Sequence, residues 1–243
     1  MSDATSLSGK RILVTGGTTG IGRATLVALA SQGAHIVTFG RHQAELDDAL
    51  ASAAGKGGEV SGLIADVATE AGVAAAFAFV DNELGGLDIL VNNAGVAIEP
   101  VQKVPDAEWR YGVETDFVGY LACARQALER IQGAGHIVFV GSVAAHSKSA
   151  GHSTYAAVKA GIQAYAETLR KEVAKQNIKV TLIEPGLVGA DLQGTPVEEQ
   201  REKIAKEQAL YAEDLADTIV FALTRANRTD IVSLRVEPRL QDA

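Results

Sequence analysis

From end to end, this chain alternates short runs rich in β-branched residues with longer runs rich in Ala and Leu, and few folds accommodate that rhythm. Residues 11–15 (RILVT), 34–39 (AHIVTF), 60–64, 87–91 (LDILV), 136–140 (HIVFV), 179–183 (KVTLI) and 231–236 read as seven strands. Several are nearly continuous apolar runs without polar alternation, the pattern of parallel strands covered on both faces. Between them the spacing predicts helices over 21–32, 43–54, 70–84, 106–131, 153–176 and 212–224. Strand–helix alternation of this kind implies right-handed βαβ units. The expected fold is therefore α/β and Rossmann-like: a doubly wound, parallel, seven-stranded sheet with helices on both faces.

The chain has 243 residues, 47% of them hydrophobic, which is enough for one large core. No Pro- or Gly-rich linker, repeat or low-complexity tract divides it, so residues 1–243 are expected to form a single domain. The longest stretch without a strand after the sixth is 186–208. In a doubly wound domain that stretch overhangs the strand C-termini, so a substrate lid is expected at about 187–208.

Charge and composition exclude several functions. The net charge is −8, and no run of Lys or Arg forms a stripe that would track phosphates. Nucleic acid and anionic membranes are poor partners for such a surface. The start, MSDATSLSGK, lacks the charged-then-apolar layout of a signal peptide, and no apolar run approaches the ~18 residues of a spanning helix. A soluble, cytoplasmic protein is the expectation. Cys123, the single cysteine, lies in the apolar stretch LACARQAL and reads as a core residue. Five His show no metal-ligand spacing, and HExxH and CxxC are absent, so no metal is expected.

The first strand runs into Thr15-Gly16-Gly17-Thr18-Thr19-Gly20-Ile21-Gly22, where a helix opens at once. Glycines there permit a tight turn and close backbone approach, while the helix N-terminus offers free N–H groups to a pyrophosphate. The spacing is Gly-x3-Gly-x-Gly, a variant of the commoner dinucleotide fingerprint. NAD-preferring folds usually place a carboxylate at the end of the second strand to bond the ribose 2′-OH. This chain reads Phe39-Gly40-Arg41-His42, and an Arg fork suits a 2′-phosphate, so NADP(H) is favoured. Asp66-Val67 follows the third strand, where a carboxylate can accept from an adenine amino group. Asn92-Asn93-Ala94-Gly95 follows the fourth; the small residues allow a flat ring near the backbone, and the amides can tie strands together.

Tyr155 and Lys159 are four apart on an expected helix and so share one face. Ser142 ends the fifth strand, 13 residues before Tyr155. An unperturbed phenol titrates near ~10, and a neighbouring ammonium favours its ionised form. Lys159 can supply that charge and hold a nicotinamide ribose, while Ser142 steadies charge developing on a substrate oxygen. The expected exchange is a proton between Tyr155 and a carbonyl or alcohol oxygen as hydride moves at carbon. His146 and His152 lie between Ser142 and Tyr155 and read as loop residues, with a substrate contact open to either.

Taken together, TGGTTGIG, DV at 66–67, NNAG at 92–95, Ser142, YAAVK at 155–159 and Pro185-Gly186 resemble the short-chain dehydrogenase/reductase family in its single-domain branch. The motifs stand in the family's order and span nearly the whole chain. The resemblance implies cofactor contacts at Gly16, Thr18, Thr19, Gly20, Ile21, Arg41, Asp66, Val67, Asn93, Ala94, Gly95, Tyr155, Lys159, Pro185, Gly186 and Val188. It also implies catalytic roles for Ser142, Tyr155 and Lys159, a small carbonyl or alcohol substrate, and a homo-oligomer, tetramer or dimer. The tail from Ala212 and IEPG at 183–186 are similar to bacterial NADP-dependent carbonyl reductases and 3-hydroxy-acid dehydrogenases.

Two positions depart from the pattern. The branch usually carries W-x6-N-x2-G, with an Asn that organises a water beside the lysine. Here Asp116 follows Trp109 at that place and is counted with the catalytic set. Ala190 stands where a Thr often bonds the carboxamide. A non-catalytic NADP(H) sensor or scaffold is the alternative, although such a protein is expected to lose Tyr155 or Lys159. A lyase, epimerase or dehalogenase on this fold is a third reading; the long epimerase branch usually has a C-terminal substrate domain, missing here, and dehalogenase relatives tend to lose the Gly-rich loop, retained here.

Overall fold

In the computed structural model, which describes residues 5–189 and 196–240, the apolar runs become the inner strands of one parallel sheet. In chain order the elements are β1 (Arg11–Thr15), α1 (Gly20–Ser31), β2 (His35–Gly40), α2 (Gln43–Ala53), β3 (Glu59–Ile64), α3 (Glu70–Leu84) and β4 (Leu87–Asn92). Then come α4 (Asp106–Val113), a π-helical turn (Glu114–Val118), α5 (Gly119–Arg130), β5 (Ile131–Val140), α6 (Ala144–Ser147) and α7 (Ser153–Val173). A 3₁₀ turn (Ala174–Gln176), β6 (Ile178–Pro185), α8 (Val197–Ala205), α9 (Ala212–Leu223) and β7 (Ser233–Val236) complete the described chain.

The strand order is β3-β2-β1-β4-β5-β6-β7, and every neighbouring pair is parallel. The winding reverses between β1 and β4, which opens a crevice above their C-terminal ends, the place where such sheets take ligands. Alternate side chains serve opposite faces. Leu13, Leu90, Phe139 and Val180 meet Phe77 of α3, Tyr120 of α5 and Ile162 of α7. Ile12, Val14, Val91 and Val138 meet Leu26 and Leu29 of α1 and Leu215 and Ile219 of α9. Coverage on both sides explains why these strands show no polar alternation.

Several boundaries differ from the sequence expectation. The helix expected over 106–131 is interrupted by the π-helical turn at Glu114–Val118. Its last residue, Ile131, is extended and pairs with Leu87, so β5 begins five residues before the 136 read from the sequence. Glycines at 133 and 135 hid that extension, since they carry no β-forming side chain. β7 is shorter than 231–236; just before it, the carbonyl of Ile231 accepts from the Thr181 hydroxyl (2.6 Å) and that of Val232 from the Leu182 N–H (3.0 Å). The short α6 and α8 were not anticipated; α8 lies inside the stretch expected to be a lid. That stretch is pinned at both ends, where Gly189 donates to Leu210 and Leu210 to Leu187 (2.9 Å each). Cys123 is fully buried on α5 within the apolar core, and burial pushes its thiol up to about 12.

The N-terminal ends of β1 and β4 are held by a charged fork. The Arg11 backbone N–H and Nε both donate to Asp88 Oδ2 (2.9 and 3.2 Å), and Nη2 donates to Oδ1 (2.8 Å). Partial burial alone would raise the Asp88 carboxyl, but the Arg11 bonds outweigh it and hold it below the usual range. A depressed folded-state value means the stabilisation is present above the unfolded value of ~3.9 and is lost as pH falls through the folded one. Asp88→Asn is therefore expected to cost about 1–3 kcal/mol at neutral pH by urea unfolding. The gap from the unsubstituted protein should narrow steadily below pH ~4. A gap independent of pH would show that the charge contributes nothing.

Candidate active site

The crevice is built first from backbone. Gly16 has φ +63°, and a Cβ there would lie 2.7 Å from Ala94 Cα, so only glycine lets the β1 loop lie against β4. Gly22 is closer still: a Cβ would strike the Gly16 carbonyl oxygen and the Asn93 side-chain nitrogen. Thr15 Oγ1 accepts from the N–H groups of Asn93 and Ala94 (2.9 Å each), and Asn93 Nδ2 donates to the carbonyls of Thr15 and Gly16 (3.1 Å each). Asn92 Nδ2 donates to the Tyr120 carbonyl (2.9 Å) and ties β4 to α5. Of the two amides of the NNAG segment, that of Asn93 thus braces the loop after β1 and that of Asn92 holds β4 to a helix. Thr19, at the start of α1, makes no side-chain cap, which leaves the first-turn N–H groups of that helix uncapped by it.

The resulting cleft has a volume of about 590 Å³. Along one end it is lined by Gly16, Thr18, Thr19, Gly20, Ile21, Arg41, Asp66 and Val67, and along the middle by Asn93, Ala94 and Gly95. At the other end lie Asp116, Ser142, Tyr155, Lys159, Pro185, Gly186 and Val188. Every residue expected in a catalytic or cofactor-binding role therefore lines one cleft. Sequence reasoning missed Thr115, whose buried hydroxyl lines the cleft without a partner among the described residues. It also missed Glu45 on α2, and Tyr111, whose phenol bridges Arg41 and Asp66.

The π-helical turn decides what α4 and α5 present. Such a turn accommodates an extra residue and recurs at functional sites. Here the consecutive residues Thr115 and Asp116 are both buried and both line the cleft. Asp116 is fully buried; its Oδ1 accepts from the Val96 N–H (2.7 Å), and its Oδ2 lies 3.2 Å from Lys159 Nζ. Burial pushes the Asp116 carboxyl up, against the pull of Lys159 and the Val96 N–H.

Tyr155 and Lys159 sit one turn apart on α7. Lys159 Nζ is 5.5 Å from the Tyr155 ring centroid and 5.3 Å from that of Tyr120. Burial disfavours the ammonium, but the ring faces of Tyr120 and Tyr155 and the Asp116 carboxylate around it outweigh that cost and keep it charged. Tyr120 itself is held neutral by complete burial, and its hydroxyl donates to the Val140 carbonyl (3.1 Å). Ser142 Oγ accepts from the Ala144 N–H (3.2 Å), so its own proton is free for another acceptor. The cleft thus joins a phenol, a fixed ammonium and a hydroxyl to a glycine-lined, helix-ended anion cradle.

A sequence profile of the family described as short chain dehydrogenase matches residues 10–201. The chain belongs to this family. This short-chain dehydrogenase is accordingly an oxidoreductase, and an enzyme. It is 34% identical over 190 residues to a 3-oxoacyl-(acyl-carrier-protein) reductase of Chlamydia pneumoniae, covering 77% of each chain. Among solved structures it superposes on L-sorbose reductase from Gluconobacter frateurii, complexed with NADPH and L-sorbose, with TM-score 0.86 and 30% identity. That match covers 96% of this chain and 97% of the other. A short-chain dehydrogenase from Burkholderia cenocepacia in complex with NADP gives TM-score 0.85 at 28% identity, covering 96% and 98%.

The loop histidines of this short-chain dehydrogenase do not enter the cleft. His146 Nε2 lies 2.7 Å from Glu184 Oε1, whose other oxygen accepts from Ser233 Oγ (3.0 Å), and His152 is exposed at the start of α7. Ala190, and with it part of the stretch expected to be a lid, falls outside the described residues. Among the described residues no group of three His, Cys, Asp or Glu could hold a metal, and no helix is long and apolar enough to cross a membrane.

Proposed function

We propose that this short-chain dehydrogenase uses NADP(H) to interconvert a ketone or aldehyde and its alcohol, with Tyr155 as general acid and base. The observation that carries the reading is the Asp116–Lys159–Tyr155 cluster in the same cleft as the Gly-rich loop. The residues fit a dinucleotide. The Gly16 turn leaves no room for a side chain, α1 begins without a side-chain cap from Thr19, and Thr115 offers an orphaned hydroxyl. Arg41 reaches the cleft at the end of β2, where a guanidinium favours a 2′-phosphate.

When bound, NADPH supplies the hydride. Ser142 donates a hydrogen bond to the substrate oxygen, keeping its proton, and orients the carbonyl. Tyr155 gives its proton to that oxygen as charge develops there, and takes it back in the oxidative direction. The Lys159 ammonium stabilises the charge left on the phenol oxygen, and its own charge is balanced by Asp116. The test is NADPH oxidation followed across a panel of ketones and aldehydes. Tight NADPH binding without turnover on any of them would favour a sensor.

Asp116 gives the site a signature of its own. Asp116→Asn keeps the shape but removes the counter-charge, leaving the full field of the Lys159 ammonium on the phenol. The alkaline limb of the reductive pH–rate profile is expected to move down by about one unit, with kcat affected more than KM. A profile that stays in place would mean that Asp116 does not set the charge at the site.

A further inference from the structure

We infer that Tyr111 is a positioning residue for the cofactor's adenosine end: a neutral spacer that keeps Arg41 and Asp66 apart and available. The inference rests on the NADP(H) reading above. The Tyr111 hydroxyl accepts from Arg41 Nη1 (2.8 Å) and donates to Asp66 Oδ2 (3.0 Å), while the Arg41 guanidinium carbon lies 5.5 Å from the Tyr111 ring centroid. Arg41 follows β2, Asp66 follows β3 and Tyr111 stands on α4, so three elements meet at one end of the cleft through a single phenol oxygen.

The chemistry of that oxygen explains the arrangement. A phenol offers one donor and accepts through its lone pairs, and here both functions are satisfied by opposite charges. Arg41 spends one of its five N–H donors on Tyr111 and keeps the others for a phosphate. Asp66 Oδ1 accepts from the Ala68 N–H (3.0 Å), which leaves Oδ2 to the phenol and to any further donor. Without the hydroxyl, guanidinium and carboxylate would face each other across the cleft and pair directly. That pairing would neutralise the cation a 2′-phosphate needs, while the Asp66 carboxylate, with lone pairs to spare, would still accept from an adenine amine.

The spacer makes a distinction that a merely structural tyrosine would not. Its hydroxyl acts through Arg41, so its loss should be felt mainly by the cofactor that carries a 2′-phosphate. The experiment is calorimetric titration of NADPH and NADH into the unsubstituted enzyme, Tyr111→Phe, Arg41→Ala and the double variant. Tyr111→Phe is expected to weaken NADPH about tenfold and NADH less than about twofold, the size of one charge-assisted hydrogen bond. The double variant should bind NADPH no more weakly than Arg41→Ala alone, since coupled residues are not additive. Equal weakening of both cofactors, or NADPH binding unchanged or tighter in Tyr111→Phe while Arg41→Ala weakens it, overturns the spacer and leaves the NADP(H) reading standing. NADPH binding unaffected by Arg41→Ala overturns that reading, and the spacer with it.

Discussion

Tyr155→Phe is expected to bind NADPH as the unsubstituted enzyme does and to turn over at least ~100-fold more slowly. The substitution removes one oxygen and little else. The ring stays on α7, and its face remains available to the Lys159 ammonium, 5.5 Å from the centroid. Ser142 still orients the substrate oxygen, and the Asp116–Lys159 pair keeps its charge balance. What disappears is the proton that must reach that oxygen. A general acid supplies two to four orders of magnitude, so the loss should fall on kcat and leave the cofactor's dissociation constant unchanged. Turnover within a few-fold of the original would remove Tyr155 from the mechanism.

Arg41→Asp should reverse cofactor preference. The ratio of kcat/KM for NADPH to that for NADH is expected to fall by ~100-fold or more, because a cation suited to the 2′-phosphate becomes an anion that repels it and can accept from a ribose hydroxyl. Arg41 is exposed, so the fold has little at stake. Glu45 already brings one carboxylate to the cleft from α2, and a second beside it sharpens the repulsion. Steady-state kinetics with both cofactors checks this, and an unaltered ratio would refute the 2′-phosphate assignment.

Much of this architecture was legible because its physics is local or periodic. Strands buried on both faces must be apolar throughout, which made β1, β2, β4, β5 and β6 visible as RILVT, AHIVTF, LDILV, HIVFV and KVTLI. The Gly16 and Gly22 positions announce themselves because no other residue fits between β1 and β4. Tyr155 and Lys159 share a helix face by spacing alone. The π-helical turn at Glu114–Val118 was not legible: one added residue in a turn changes no residue type and barely disturbs an apolar stripe. Tyr111 was missed for a related reason. Its partners, Arg41 and Asp66, are distant in sequence, and nothing about an isolated tyrosine on a polar helix marks it until β2, β3 and α4 converge. Asp116 stood out in the sequence as a departure from a motif, but its burial and its contact with Lys159 came only with the fold.

The most direct test of the account is the fate of hydrogen from C4 of the nicotinamide. Turnover of a ketone with NADPH dideuterated at C4 should place one deuterium on the carbinol carbon of each product alcohol, read by mass spectrometry, with the rate collapsing in Tyr155→Phe while the label still arrives at carbon. Product alcohol free of deuterium, or bound NADPH that reduces no carbonyl offered, would contradict hydride transfer at this site.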